Sequence, residues 1–156
     1  MFRWLTNKLK EREAQRLRAD HAAAEALRHR RRNPDFELVR RHFGRSISES
    51  LRNLYSDPAE LVRECVARKY GPREDDALFV GWYIPLDEQA FSEQWHHGDG
   101  RVDFADDGSA SRLTVDPTDD DAGIFFFRHE DQTFHATGVK IRDFLNLPET
   151  WAGQPR

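Results

Sequence analysis

Phe104-Ala105-Asp106-Asp107-Gly108-Ser109 decides how this chain is read. Two apolar residues running into two carboxylates, a glycine and a serine describe a strand that stops in a tight turn. Aspartate side chains cap such turns and glycine supplies the positive φ they need. Working outward, Arg101 to Phe104 leads into the turn, and Ser111-Arg112-Leu113-Thr114-Val115 follows it as far as Asp116-Pro117, a strand stop. Gly123 to Arg128 is a further strand, with three consecutive phenylalanines, closed by His129-Glu130. Upstream, Leu78 to Ile84 reads as one strand stopped by Pro85, and Leu86 to His97 holds a helical turn. Downstream, Thr133 to Thr137 is strand-like and Lys140 to Leu147 is helical.

The residues before this sheet follow helical rules. Asp35 to His42 places Phe36, Val39 and Phe43 on one side and is closed by Gly44. Ser48 caps a turn in which Leu51, Leu54 and Tyr55 share a face. Asp57-Pro58 opens a longer helix through Leu61, Val62, Cys65, Val66 and Tyr70, ended by Gly71-Pro72, with Cys65 expected in its apolar interior. Helices, then a mostly antiparallel sheet, then a closing C-terminal helix make an α+β domain. The expected organisation is a basic helical N-terminal extension at 1–34, the domain at 35–150 and a tail at 151–156.

A chain of 156 residues has room for one core. Its net charge of −4 conceals an asymmetry. Residues 1–45 hold 13 Lys/Arg against 6 Asp/Glu, whereas residues 71–131 hold 4 against 16. The single cysteine excludes an internal disulfide and a zinc site built on cysteines. No run approaches the roughly 18 apolar residues that a membrane span needs. No apolar segment of a signal peptide follows Lys8 and Lys10, so a cytoplasmic, reduced protein is expected.

Residues 3–32 lack glycine and proline and are rich in helix formers, with Asn33-Pro34 as the stop. At about 1.5 Å per residue this helix runs roughly 45 Å, longer than a small domain is wide. Phe2, Leu5, Leu9, Ala23, Ala24 and Leu27 fall near one side, but Glu13, Arg16 and Asp20 interrupt the stripe. Arg28, Arg30, Arg31 and Arg32 are candidates for phosphate contacts in a nucleic-acid reading. Phe2, Trp4, Leu5 and Leu9 beside Lys8 and Lys10 suit an anionic membrane surface or a partner helix instead. The plainest alternative is a solvated extension.

In order and spacing, several segments resemble the SUKH superfamily, which groups yeast cell-wall-synthesis regulators of the Smi/Knr type with many bacterial immunity proteins. They are Leu51-x-x-Leu54-Tyr55, Phe104 to Ser109, the strand into Asp116-Pro117, the apolar strand ending in His129-Glu130, and Phe144-Leu145. The resemblance covers residues 46–148 and leaves the arm outside. It implies an α+β binding domain that neutralises a cognate toxin by direct contact, and an acidic body suits a basic toxin cleft.

Chemistry offers weaker signals. Asp106, Asp107, Asp116, Asp119, Asp120 and Asp121 invite a metal, but the alternating ligands and terminal glutamate of a calcium loop are absent. His96-His97-Gly98-Asp99 and His129-Glu130 offer too few convergent ligands for zinc, since adjacent residues of an extended chain point to opposite faces. A metal-dependent hydrolase built from Asp106, Asp107, His129 and Glu130 is the alternative enzyme reading. No nucleophile elbow, phosphate loop or His-Glu-x-x-His motif occurs. The expectation is therefore a non-enzymatic protein-binding module without cofactor or metal. Its partner surface is an acidic rim of Asp103, Asp106, Asp107, Asp119, Asp120 and Asp121, with Trp82 and Trp95 as anchors.

Overall fold

The computed structural model describes residues 2–93 and 100–151. Helix α1, Phe2–Arg31, runs as one 30-residue element to the Asn33-Pro34 stop. Leu5, Leu9 and Leu17 on it are exposed, and its end, from Leu27 to the buried Arg31, packs against the domain. Helix α2, Phe36–Phe43, buries Leu38 and Val39 and ends at Gly44, whose φ of +70° lets its amide donate to the Arg40 carbonyl.

Helix α3, Glu49–Tyr55, has its N-terminus closed twice. Ser48 accepts from the Leu51 amide, and Asp120 accepts from Glu49 and Ser50. Asp57 then caps α4, Pro58–Leu61, by accepting from Ala59 and Glu60.

Here the expected helix through Tyr70 fails. It stops after one turn, and Val66–Lys69 is strand β1. Both edges of β1 are paired, with β2 (Ala77–Val80) on one side and β8 (Glu149–Trp151) on the other, so long-range pairing overrides the local helical spacing. Cys65, placed in the apolar interior by that helix, is exposed instead. It turns the chain at φ +57° and donates its amide to the Gly81 carbonyl at 3.0 Å.

The expected strand from Leu78 to Ile84 is divided. β2 belongs to the three-stranded sheet β2-β1-β8, and β3, Trp82–Tyr83, opens a second sheet of five strands. Gly81 makes the transfer. Its amide donates to Asp106 at 2.7 Å, and a side chain there would sit 2.9 Å from the backbone of Asp107 and Gly108. Helix α5, Glu88–Glu93, is capped by Asp87 through the Ala90 amide.

Strands β4 (Val102–Asp106), β5 (Arg112–Val115), β6 (Gly123–Arg128) and β7 (Thr133–Lys140) form an antiparallel meander with bulges at Asp103/Ala105 and Gly123/Phe125. The closing helix is shorter than expected. α6 spans Ile141–Phe144, because the chain past Pro148 is drawn into β8, a strand that begins inside the expected domain and runs into the expected tail.

The register sorts the two faces of the large sheet. Ala105, Leu113, Phe126 and His135 oppose one another across β4 to β7, whereas Trp82, Asp106, Arg112, Phe127 and Phe134 share the other face. Leu38, Leu51, Leu54, Phe104, Val115, Ile124 and Phe144 form the core between helices and sheet, with Phe104 edge-on to Phe144 at 5.4 Å. This is an α+β fold.

Candidate functional site

The turn after β4 holds its own carboxylates. Asp106 accepts the Gly108 amide at 2.7 Å, and Asp107 accepts the amides of Ser109 and Ser111 and the Ser109 hydroxyl at 2.8–3.1 Å. Gly108 supplies the positive φ of +89°. Burial raises the Asp106 carboxyl above its ordinary range, against the pull of the Gly108 amide and Arg112.

Asp103 is not on an exposed rim. It lies on an interior strand, buried, with Arg112 bound to it at 2.9 Å and 3.8 Å from Asp106. One guanidinium thus serves both carboxylates, and Asp103 and Asp106 are removed from the expected surface.

The acids after Asp116-Pro117 are also engaged. Asp119 accepts the Asp121 amide, Asp120 closes α3, and Asp121 meets Lys140 and Arg142. Asp119 and Asp121 remain exposed. His129 and Glu130 are exposed too, the His129 amide donating to Ser111. Among the described residues no three His, Cys, Asp or Glu side chains converge on a metal position. Trp82 is exposed on the sheet face carrying Asp106, above a crevice of about 220 Å³ shared with Leu27, Arg30 and Arg112. Trp95, with His96, His97 and Asp99, lies outside the described residues.

Two of the four arginines of the arm's cluster are spent inside the protein. Arg30 grips Asp87, and Arg31 is buried with its Nε donating to the Tyr83 carbonyl at 2.8 Å and its Nη1 3.7 Å from Glu64. Burial pulls the Arg31 guanidinium below its ordinary value. Arg28 pairs with Glu25, and Arg32 is exposed. Arg30 and Arg31 therefore anchor the helix and are withdrawn from the phosphate-binding reading.

A second concavity, lined by strands of both sheets, lies elsewhere. Between the outer edge of β2 and the face of β5 to β7 runs a groove of about 560 Å³. Tyr70, Ala77, Leu78 and Phe79 make one wall, and Leu113, Phe126, Arg128, His135 and Thr137 make the other. Asp75 precedes β2 at one end, and Asp107, packed on Gly81, closes the other. Arg128 is met by Asp131 at 3.4 Å, so the carboxylates of Asp75 and Asp107 set the sign of the groove.

No known family, curated protein or solved structure matches this chain. Its chemistry rests on its own residues.

The groove offers aromatic contact area, an apolar floor and acidic ends, which suits a chain segment better than a reacting small molecule. Sequence reasoning missed it because Tyr70 was placed in a helix, whereas the chain turns there between β1 and β2. Only the acidic Glu74-Asp75-Asp76 run beside a turn pointed towards it.

Proposed function

We propose that this chain is a non-enzymatic protein-binding module, and that the groove between β2 and β5 to β7 is its contact site. The observation that carries the reading is the pairing of Tyr70, exposed to 39%, and Phe79 with Asp75 and Asp107 around one concave floor. Aromatic side chains over a desolvated floor supply anchoring energy, and acids at the margin select a basic partner.

Within this class the SUKH-like motif order and the acidic block at 71–131 favour an immunity protein that neutralises a toxin by contact. Asp119 and Asp121 add exposed negative charge outside the groove. Among the described residues no helix is long and apolar enough to cross a membrane.

The test is co-production with the protein encoded beside it, read as cell survival and co-elution. Wild type protects and co-elutes, whereas Tyr70→Arg and Asp75→Lys, both exposed positions, lose protection while staying folded by circular dichroism. Full protection by both variants overturns the groove as the contact site.

A further inference from the structure

Resting on that binding reading, we infer that β2 receives an extended segment of the partner as an additional strand, flanked by cationic side chains. Antiparallel pairing alternates the direction of backbone groups along a strand. The Tyr70 amide donates to Asp76, towards the β2 side, whereas the Lys69 amide donates to Pro148, towards the β8 side. In the register Val66↔Val80 and Arg68↔Leu78, this alternation turns the amide and carbonyl of Phe79, and the carbonyl of Ala77, away from β1. The Ala77 amide faces the same way and is taken locally by the Asp75 carbonyl at 2.8 Å. β2 has β1 as its only strand partner among the described residues, so the outward pair at Phe79 opens into the groove.

An open pair of backbone groups beside an apolar floor is what strand addition uses: the edge supplies affinity and alternate side chains fill the floor. The floor here is Leu113 and Phe126. No lysine or proline interrupts Ala77 to Val80, the devices that ordinarily blunt an edge.

Charge decides the occupant. Asp75 and Asp107 stand at opposite ends of β2, so two copies of this chain joined edge to edge about a twofold axis would set carboxylate against carboxylate. A foreign strand with lysine or arginine at each end meets both acids instead.

The experiment uses the full chain, isotope-labelled, with the synthetic hexapeptide acetyl-Lys-Val-Thr-Val-Thr-Lys-amide as probe. Its controls are the same peptide with glutamates at both ends and a version N-methylated at alternate amides. The lysine peptide slows hydrogen exchange of the Phe79 amide by about tenfold or more, and neither control does so. Asp75→Lys abolishes the slowing. Equal protection by the N-methylated peptide overturns the inference. So does a peptide that shifts the Tyr70 and Phe126 signals without protecting Phe79, which leaves the groove standing as a contact site. Survival conferred by Tyr70→Arg and Asp75→Lys in the co-production test strikes at the underlying reading, whatever the peptide does.

Discussion

Arg30 and Asp87 meet in a two-pronged ion pair across 57 positions of sequence, Nε to Oδ2 at 2.7 Å and Nη2 to Oδ1 at 2.9 Å. The pair is about three-quarters buried, its side chains 25% and 22% exposed. Together with Arg31, which bonds to the Tyr83 carbonyl, it ties the end of a mostly solvated helix to β3 and the segment that follows it. A planar guanidinium bonded at two points fixes direction as well as distance.

Asp87→Ala is expected to cost about 1–2 kcal/mol in urea unfolding, less than a fully buried pair because water still screens it. Arg30→Ala should cost less, since Asp87 continues to cap α5 through Ala90. Hydrogen bonding from Arg30 holds the Asp87 carboxyl below its ordinary value. A depressed carboxyl contributes stability above its unfolded pKa of about 3.9 and loses it as pH falls through the lowered value. The wild-type advantage over Asp87→Ala should therefore be constant near neutrality and shrink in acid.

Glu60 gathers the two sheets. It accepts from the Tyr83 hydroxyl on β3 and from Arg68 on β1, and Arg68 lies over the Phe144 ring at 5.1 Å. Glu60→Gln leaves the buried Arg68 guanidinium with only the half-exposed Glu149 carboxylate, at 3.4 Å, as counter-charge and should cost about 2–3 kcal/mol. Tyr83→Phe keeps the ion pair and should cost about 1–2 kcal/mol. Thermal unfolding of the two variants separates these magnitudes.

Desolvation raises the Tyr55 and Tyr83 hydroxyls above their ordinary range, with Glu60 adding to the effect at Tyr83. A raised phenol contributes stability that is complete below its unfolded pKa of about 10 and is lost as pH rises towards the folded value. Spectrophotometric titration should show these two tyrosines ionising only as the protein unfolds in alkali.

Gly81→Ala is expected to destabilise by about 1–3 kcal/mol, because the new methyl meets backbone at 2.9 Å rather than a side chain that can move aside. Amide shifts should spread to Asp106, Asp107 and Gly108, across the contact, and to Cys65, whose amide bonds to Gly81.

Asp120→Ala should cost about 1 kcal/mol through the N-terminus of α3, a role that local sequence does not announce for a residue 70 positions from Ser50. Hydrogen bonds from Ser50 hold this carboxyl low, so its contribution too is lost on acidification. Guanidinium unfolding at pH about 7 and about 3 should show the difference narrowing.

Elements bounded by local chemistry were legible in the residues. Asp57-Pro58, Ser48, Gly44 and Asn33-Pro34 mark helix limits because a cap or a stop acts within one turn. Asp106-Asp107-Gly108-Ser109 is the turn its composition describes. β1 was not legible, because Val62, Cys65 and Val66 are spaced for a helix, and its pairing partners include β8, more than eighty positions away. Within the acidic rim, Asp103, Asp106 and Asp120 were misplaced for the same reason: that Asp103 and Asp106 share Arg112, and that Asp120 closes α3, depends on which strands and helices become neighbours.

The sequence by itself determined the α+β class, the long basic helix, the single core and the turn at Phe104 to Ser109, all set by periodicity, propensity and capping. The tertiary structure alone decided that the chain divides at Gly81 into two sheets, that Arg30 and Arg31 become anchors, and that Phe79 and Phe126 line one groove. Those outcomes depend on strand pairing and burial between distant segments, and no local pattern encodes which distant segment arrives.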